Sequence, residues 1–385
     1  MLRALSESWG KVALIGILLL SCLPAFGQTA DFEDGLGTAR FDQKIGLGPA
    51  QEVLLAPSAV TPGLPFFTRG FNSLGAVTLP MNIVGTDPGA GAATTSIAAV
   101  IVPLRLVFAN GMVLDGTNVV FQHLNSPIFQ SVDFTTGGID LGVTQYGDAI
   151  QRAEFWNLPG FSAAGYHVLL GPPAIAATVT INVPANKGVV TTNSLGTVVG
   201  RIDDVFFDQL LASLLPSYKA SQLPVFVTDN VFEYTGGDPN NCCILGFHDS
   251  QSGPIATAKT WIYAAYTEAG TFVGDVILDV QALSHEVAEW LNDPFVGGPF
   301  PGGVNLVPPA VLPGQDGACI INFETGDPLE SPPIVFSFTV NGKTYHLQDE
   351  VFLPWYLQTI PSFSVNESFT FLGTFFTPAR LCGPG

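Results

Sequence analysis

The sequence predicts an α+β fold in which a β-rich N-terminal region (residues 28–199) packs with a C-terminal domain of mixed helices and strands (residues 200–385). Two Asn-Gly turns, Asn110-Gly111 and Asn341-Gly342, lie between apolar runs and indicate β-hairpins. Strand and loop patterns dominate before residue 200, and helical periodicity joins them after it. Since 47% of the residues are hydrophobic and only 12% are charged, the composition is that of a folded, core-rich protein.

The N-terminal residues 1–27 are predicted to be an export signal. A positively charged start is followed by the apolar run Val12–Leu23, which is too short to span a bilayer, and by Ala25-Phe26-Gly27, which resembles a cleavage site. A lipoprotein box ending at Cys22 is the less favoured alternative, because its second position matches poorly. We therefore expect a secreted chain, extracellular or periplasmic, with no transmembrane segment.

The charge and the cysteines restrict the partners and the compartment. A net charge of −19 argues against a nucleic-acid partner and suits divalent cations or basic substrates. Four cysteines follow the signal, and an even number in an exported chain predicts two disulfides. Because adjacent cysteines rarely bond each other, we expect Cys242 and Cys243 to pair with Cys319 and Cys382 in either order. No C-x-x-C spacing indicates a cysteine-only zinc site.

The most informative stretch is His285-Glu286-x-x-Glu289, which differs at one position from the H-E-x-x-H signature of zinc hydrolases. We expect Asp279 to cap a helix that runs to Asn292. His285 and Glu289 are four residues apart, so they are neighbours on the helix face opposite an apolar stripe. This spacing predicts two metal ligands one turn apart, with Glu286 as a catalytic carboxylate. The alternative is a surface helix that happens to carry a His/Glu pair.

A third metal ligand must come from another part of the chain. Glu324 and Asp327 lie downstream of the helix, as the third carboxylate of many zinc hydrolases does. His248 is the other candidate, and it would give two histidines and one carboxylate, close to known hydrolytic zinc sites. A set of His285 with two carboxylates is richer in oxygen and could prefer a harder ion. The sequence leaves these alternatives open.

Together these motifs resemble a known group of extracellular proteins. The helix continues as Asn292-Asp293-Pro294, and Glu324-x-Gly326-Asp327 and Cys243-x-x-Gly246-Phe247-His248 complete the pattern. It resembles secreted bacterial zincin-like proteins and, more distantly, the plant EXORDIUM or phosphate-induced proteins. The resemblance implies a zincin-like α+β domain with an active-site helix and an extracellular role. Leu329 stands where that family has a cysteine, so the local disulfide must differ.

Two functions are compatible with these motifs. The first is a secreted metal-dependent hydrolase, a zinc peptidase acting on a peptide or protein substrate. Glu286 would take a proton from the attacking water and deliver it to the leaving amine. The second is a non-catalytic extracellular or cell-surface protein that binds glycan, wall or protein on the same scaffold. The missing second histidine, at position 289, is the feature that favours the second function.

Overall fold

The computed structural model describes residues 63–74, 77–251, 254–296, 303–331 and 333–383. The predicted export signal, including Cys22, lies outside the described residues. About 22% of the described residues are helical and 40% are in strands, which confirms the mixed α+β class.

The described residues form five α-helices: α1 Val120–Leu124, α2 Tyr146–Glu154, α3 Asp204–Leu214, α4 Gln281–Asn292 and α5 Leu353–Leu357. None of them is both long and apolar enough to cross a membrane. The strands are β1 Phe66–Asn72, β2 Thr78–Val84, β3 Ala93–Phe108, β4 Val113–Asp115, β5 Val132–Thr136, β6 Ile139–Thr144, β7 Tyr166–Leu170, β8 Ala174–Ile175, β9 Val179–Val183, β10 Gly188–Thr192, β11 Val198–Asp203, β12 Gln222–Asp229, β13 Val231–Tyr234, β14 Cys242–Ile244, β15 Gly246–Ser250, β16 Thr260–Tyr266, β17 Leu306–Val311, β18 Cys319–Asn322, β19 Val335–Val340 and β20 Lys343–Gln348.

The largest sheet draws its eight strands from both sides of residue 200. Its path runs β15-β16-β12-β3-β4, and β7, β8 and β9 also pair with the long strand β3. The β3–β12 and β12–β16 pairs are parallel, whereas β15 is antiparallel to β16 at the end of the path. A second sheet has the order β10-β11-β13-β14. The N-terminal and C-terminal regions therefore share one hydrogen-bonded sheet.

Both predicted hairpins are confirmed. β3 and β4 pair antiparallel across the Asn110-Gly111 turn, where Gly111 has a φ of +84°. β19 and β20 pair across Asn341-Gly342, with Val340 opposite Lys343. In both turns the glycine adopts the left-handed backbone conformation, which costs glycine least.

Helix α4 packs against β15 and β16 of the large sheet and is also covered by α2, β2 and β20, and all twelve of its residues are buried. On one side the Trp290 indole donates a hydrogen bond of 2.9 Å to Thr260 Oγ1 on β16. On another side α2 packs so closely that a Cβ on Gly147 would lie 2.6 Å from Leu291 Cδ1. The interpretation of α4 as a surface helix is therefore wrong, because layers of the fold cover its polar face as well as its apolar face.

The predicted cap of α4 is also wrong, although the predicted end at Asn292 is correct. The helix begins at Gln281 with Val280 as the N-cap, and Asp279 has a φ of +43°. The Asp279 carboxylate accepts hydrogen bonds from the Val280 and His346 backbone N–H groups. Because this side chain is bonded to β20, it ties the hairpin to the start of α4 and does not cap the helix.

The disulfides differ from the predicted pairing. Cys242 is bonded to its neighbour Cys243, and Cys319 is bonded to Cys382. The C-terminal tail runs beside β17, where the Cys382 N–H donates to the Pro309 carbonyl, and this brings Cys382 next to β18. Cys242 and Cys243 lie on β14 in a different sheet, so the two pairs of cysteines belong to separate parts of the fold.

Candidate metal centre

The six residues predicted for the site form one buried group, which we call the central cluster: His248, His285, Glu286, Glu289, Glu324 and Asp327. None of them is more than 4% exposed. They come from three parts of the chain, namely β15, α4 and the segment that follows β18. The structure therefore brings together residues that are up to 79 positions apart in the sequence (327 − 248).

The first potential ligand group consists of His285, Glu289 and Asp327, whose ligand atoms all lie within 4.8 Å of one another. His285 Nε2 is 3.1 Å from Glu289 Oε2 and 3.6 Å from Asp327 Oδ1. Ligands of a tetrahedral zinc ion with bonds of 2.0–2.2 Å lie roughly 3.3 Å apart. The spacing of this group therefore suits a divalent cation.

The second potential ligand group consists of His248, Glu286 and Glu289, and it shares Glu289 with the first. His248 Nδ1 is 3.2 Å from Glu286 Oε2 and 3.7 Å from Glu289 Oε2. Glu324 lies on the other side of the imidazole, with its Oε2 at 3.7 Å from His248 Nε2. Glu286 and Glu289 thus face a histidine from β15, and Glu289 also faces His285 on its own helix.

Gly326 fixes the segment that carries Asp327 against α4. Its backbone N–H donates to Glu289 Oε1 at 3.0 Å, and the Gln348 side chain donates to its carbonyl at 2.8 Å. A Cβ at this position would lie 2.3 Å from His285 Nδ1. Only glycine allows the backbone to approach the imidazole so closely, which explains the glycine in Glu324-x-Gly326-Asp327.

Several carboxylate oxygens of the central cluster are buried without a hydrogen-bond donor. Neither oxygen of Glu324 has one, and Glu286 Oε1 has none. A buried polar group without a partner costs on the order of 1–3 kcal/mol, and more when it is charged. Carboxylate oxygens and imidazole nitrogens are the donors that zinc and similar divalent ions take in proteins. The residues of the central cluster therefore fit a bound metal ion.

Burial controls the protonation of the cluster when no cation is bound. It lowers the pKa of His248 to about 4, and it raises the pKa of Glu286 and of Glu324 well above the usual range. Burial also opposes the ionisation of Glu289, yet the neighbouring imidazoles and the Gly326 N–H hold its pKa below the usual value. In the metal-free protein, Glu289 is therefore the carboxylate of α4 that carries the negative charge.

Two further buried carboxylates, Asp293 and Glu350, lie near the cluster and were not among the predicted site residues. The Asp293 carboxylate accepts the Asn305 backbone N–H at 3.1 Å, and its carbonyl lies 3.1 Å from His248 Nε2. Glu350 accepts a hydrogen bond of 2.9 Å from the Tyr146 hydroxyl. Burial raises the pKa of both carboxyl groups well above the usual range. Asp293 belongs to the Asn-Asp-Pro end of the helix motif, which was a usable signal, whereas no local pattern marks Glu350.

The other three histidines, His123, His167 and His346, lie outside the cluster. His167 contacts Asp148 at 2.9 Å and His346 contacts Asp279 at 2.6 Å, and each is about 28% exposed. His123 is fully buried, packs edge-on against the Tyr266 ring, and has its pKa lowered to about 3 by burial. None of the three belongs to a potential ligand group among the described residues.

Comparison of this chain with protein-family models, with curated proteins and with solved structures gave no match.

Proposed function

We propose that the protein is an extracellular metal-dependent hydrolase with a zincin-like active-site helix, α4. In this proposal His285, Glu289 and Asp327 hold a zinc ion, and Glu286 is the general base. The observation that carries the proposal is the ligand-like spacing of His285, Glu289 and Asp327. The group lies in a cluster where Glu286 Oε1 and both oxygens of Glu324 lack donors.

The geometry favours Asp327 as the third ligand over the other two candidates. Asp327 is the residue that forms a ligand group with both His285 and Glu289. Glu324 is nearest to a histidine at His248 Nε2, and His248 directs its Nδ1 at Glu286 as well as Glu289. These two residues therefore serve better as neighbours of the base than as ligands of the same ion.

The proposed reaction is hydrolysis of a peptide bond. When bound, the ion would polarise the carbonyl group and make the attacking water more acidic, although two anionic ligands make it a weaker Lewis acid than a three-histidine site would. Glu286 accepts a proton from the water as the water oxygen bonds to the carbonyl carbon. The C–N bond then breaks, and Glu286 passes the proton to the leaving amine. Once Glu286 has taken up the proton, its Oε2 can donate a hydrogen bond to His248 Nδ1, which lies 3.2 Å away.

The test measures metal content and peptide turnover on the purified protein, dialysed against a low concentration of free zinc. We expect about one zinc per chain, lost in His285→Ala. Glu286→Gln should keep this zinc and lose roughly 10²–10⁴-fold in turnover, the usual contribution of a general base.

Glu154→Gln is the matched control for this test, because Glu154 is a fully buried glutamate outside both ligand groups. It should leave both zinc content and turnover unchanged. Turnover that persists in Glu286→Gln would rule out Glu286 as the base. A folded wild-type protein that takes up no zinc would rule out the proposed centre.

One observation favours a second candidate function, a non-catalytic extracellular protein with a structural ion. All six residues of the cluster are buried, whereas a hydrolase must admit its substrate to the ion. In that case chelation should unfold the protein, and the zinc-loaded form should hydrolyse no peptide in a broad substrate screen. Hydrolysis that depends on Glu286 would exclude this alternative.

A further inference from the structure

We propose that the centre has a second cation site, formed by His248, Glu286 and Glu289, and that an ion bound there withdraws Glu286 from proton transfer. The existence of this site is independent of the reaction, whereas its effect on turnover rests on the proposed function. The two sites would share the carboxylate of Glu289 as a bridge.

The geometry of the second group matches that of the first. In the first group, His285 Nε2 lies 3.1 and 3.6 Å from its carboxylate partners, and in the second His248 Nδ1 lies 3.2 and 3.7 Å from its own. Both sets of distances bracket the roughly 3.3 Å between two ligands of one tetrahedral ion. The same atom, Glu289 Oε2, faces both imidazoles, while Oε1 is held by the Gly326 N–H.

A hydrogen bond at the far side of the His248 ring orients its lone pair toward the second group. His248 Nε2 lies 3.1 Å from the Asp293 carbonyl oxygen, which can only accept a hydrogen bond. Nε2 therefore carries the proton of the neutral imidazole, and Nδ1 presents its lone pair to Glu286 and Glu289. Histidines that bind metals commonly donate their other ring N–H to a backbone carbonyl in this way.

The unpaired oxygens and the charge of the cluster indicate more than one ion. Glu286 Oε1 and both oxygens of Glu324 are buried without a donor. For Glu286, Glu289 and Glu324, the ion-pair partners within the described residues are histidines. A first divalent cation is balanced by Glu289 and Asp327, and a second would be balanced by Glu286 and the neighbouring Glu324 once its binding ionises them.

A shared ligand makes the two sites interdependent. Two ions bridged by a carboxylate lie about 3.5–4 Å apart in known two-metal sites, and they repel each other at that distance. The second ion therefore binds more weakly than the first. Because Glu286 is a ligand only in the second group, the protein has a free base at low zinc and a ligated one at high zinc.

Metal counting tests the site without reference to activity. Chelator-treated protein is dialysed to equilibrium against increasing Zn²⁺, and zinc per chain is measured. We expect the wild type to bind one and then two equivalents. His248→Gln and Glu286→Gln should each stop at one equivalent, Glu289→Gln should retain neither, and the control Glu154→Gln should bind two. Circular dichroism of each variant verifies that it is folded. If either His248→Gln or Glu286→Gln misfolds, the other still tests the second site.

The possible outcomes separate this inference from the proposed function. A wild type that saturates at one equivalent would overturn the second site and leave the first intact. A second equivalent that persists in both His248→Gln and Glu286→Gln would be adventitious binding at the surface and would also overturn it. No zinc at any concentration would overturn the first site and the second together.

Turnover of a peptide substrate is then followed over the same zinc titration. We expect it to rise with the first equivalent and to fall at least tenfold with the second. Constant turnover during binding of the second equivalent would overturn the withdrawal of Glu286. Binding of two zinc equivalents with no peptide hydrolysis at any zinc concentration would support the second site and contradict the proposed hydrolase function.

Discussion

Histidine–carboxylate contacts occur in two kinds of surroundings in this molecule, and they differ in how the carboxylate is satisfied. Asp148 accepts hydrogen bonds from the Val168 N–H at 2.6 Å and the Thr144 hydroxyl at 2.6 Å, and it also contacts His167. In the central cluster, by contrast, Glu324 accepts no hydrogen bond on either oxygen. Both carboxylates are completely buried, so burial alone does not distinguish them.

The supply of hydrogen-bond donors, and not burial, therefore distinguishes Glu324 and Glu286 Oε1 from Asp148. A carboxylate that its own fold supplies with donors needs nothing further, and Asp279 with His346 repeats the Asp148 pattern. A buried carboxylate without donors must instead hold a proton or meet a cation. The central cluster contains such carboxylates beside two imidazoles, a combination that suits a cation.

The largest expected effect is on zinc content. A variant of a cluster histidine should lose its zinc, whereas variants of histidines outside the cluster should keep it. His285→Gln removes a ligand of the first group, so we expect the zinc of low-zinc dialysis to be lost. His167→Gln and His346→Gln alter histidines whose carboxylate partners are satisfied by other donors, so zinc content should not change. Elemental analysis of the three variants measures the zinc bound per chain. Equal zinc in all three would remove the distinction drawn from hydrogen bonding.

Glu154, a buried carboxylate outside the potential ligand groups of the described residues, provides an intermediate case. Glu154 accepts the Leu353 N–H at 2.8 Å through Oε1, whereas its Oε2 has no partner, and burial raises its pKa to about 8. The unfolded chain releases this proton near its ordinary pKa of 4.5, while the folded chain holds it. Stability is therefore lost as the pH rises from about 4.5 through about 8, by roughly 3–5 kcal/mol in total.

This loss is measured by urea unfolding of the chelator-treated protein at pH 5 and at pH 8.5. Other buried carboxyl groups add the same trend, so the quantity of interest is the difference between the wild type and Glu154→Gln. The variant should lose less stability than the wild type between the two pH values. An identical pH dependence for the two proteins would mean that Glu154 is ionised in the folded state.

The sequence predicted those features of the site that depend on local spacing. The His285–Glu289 pair on a helix follows from a four-residue interval, and both hairpins follow from their Asn-Gly turns. The candidates for a third ligand came from a motif, and the structure places all of them in the cluster. Which of them forms a group with His285 was left open, because that depends on how the segment around Gly326 meets α4.

The features that escaped prediction depend on contacts between distant parts of the chain. Burial of the polar face of α4 requires the segment around Glu324 to cover it, and periodicity cannot reveal such a cover. The sequence predicted Asp279 as a helix cap, whereas in the structure its carboxylate also accepts a hydrogen bond from the His346 N–H on β20. The pairing of Cys319 with Cys382 depends on the C-terminal tail returning to β17, a contact that no local pattern encodes.

The smallest expected effects have opposite signs in the two kinds of surroundings. Asp148→Asn weakens accepted hydrogen bonds and should lower the free energy of unfolding by about 1–3 kcal/mol. Glu324→Gln replaces a buried acid that must be neutralised to fold, so it should raise the stability of the metal-free protein by about 1 kcal/mol. Urea unfolding at pH 7 with chelator present measures both changes. If Glu324→Gln destabilises the metal-free protein as Asp148→Asn does, then Glu324 is satisfied in the fold, and its two oxygens no longer indicate a cation in the cluster.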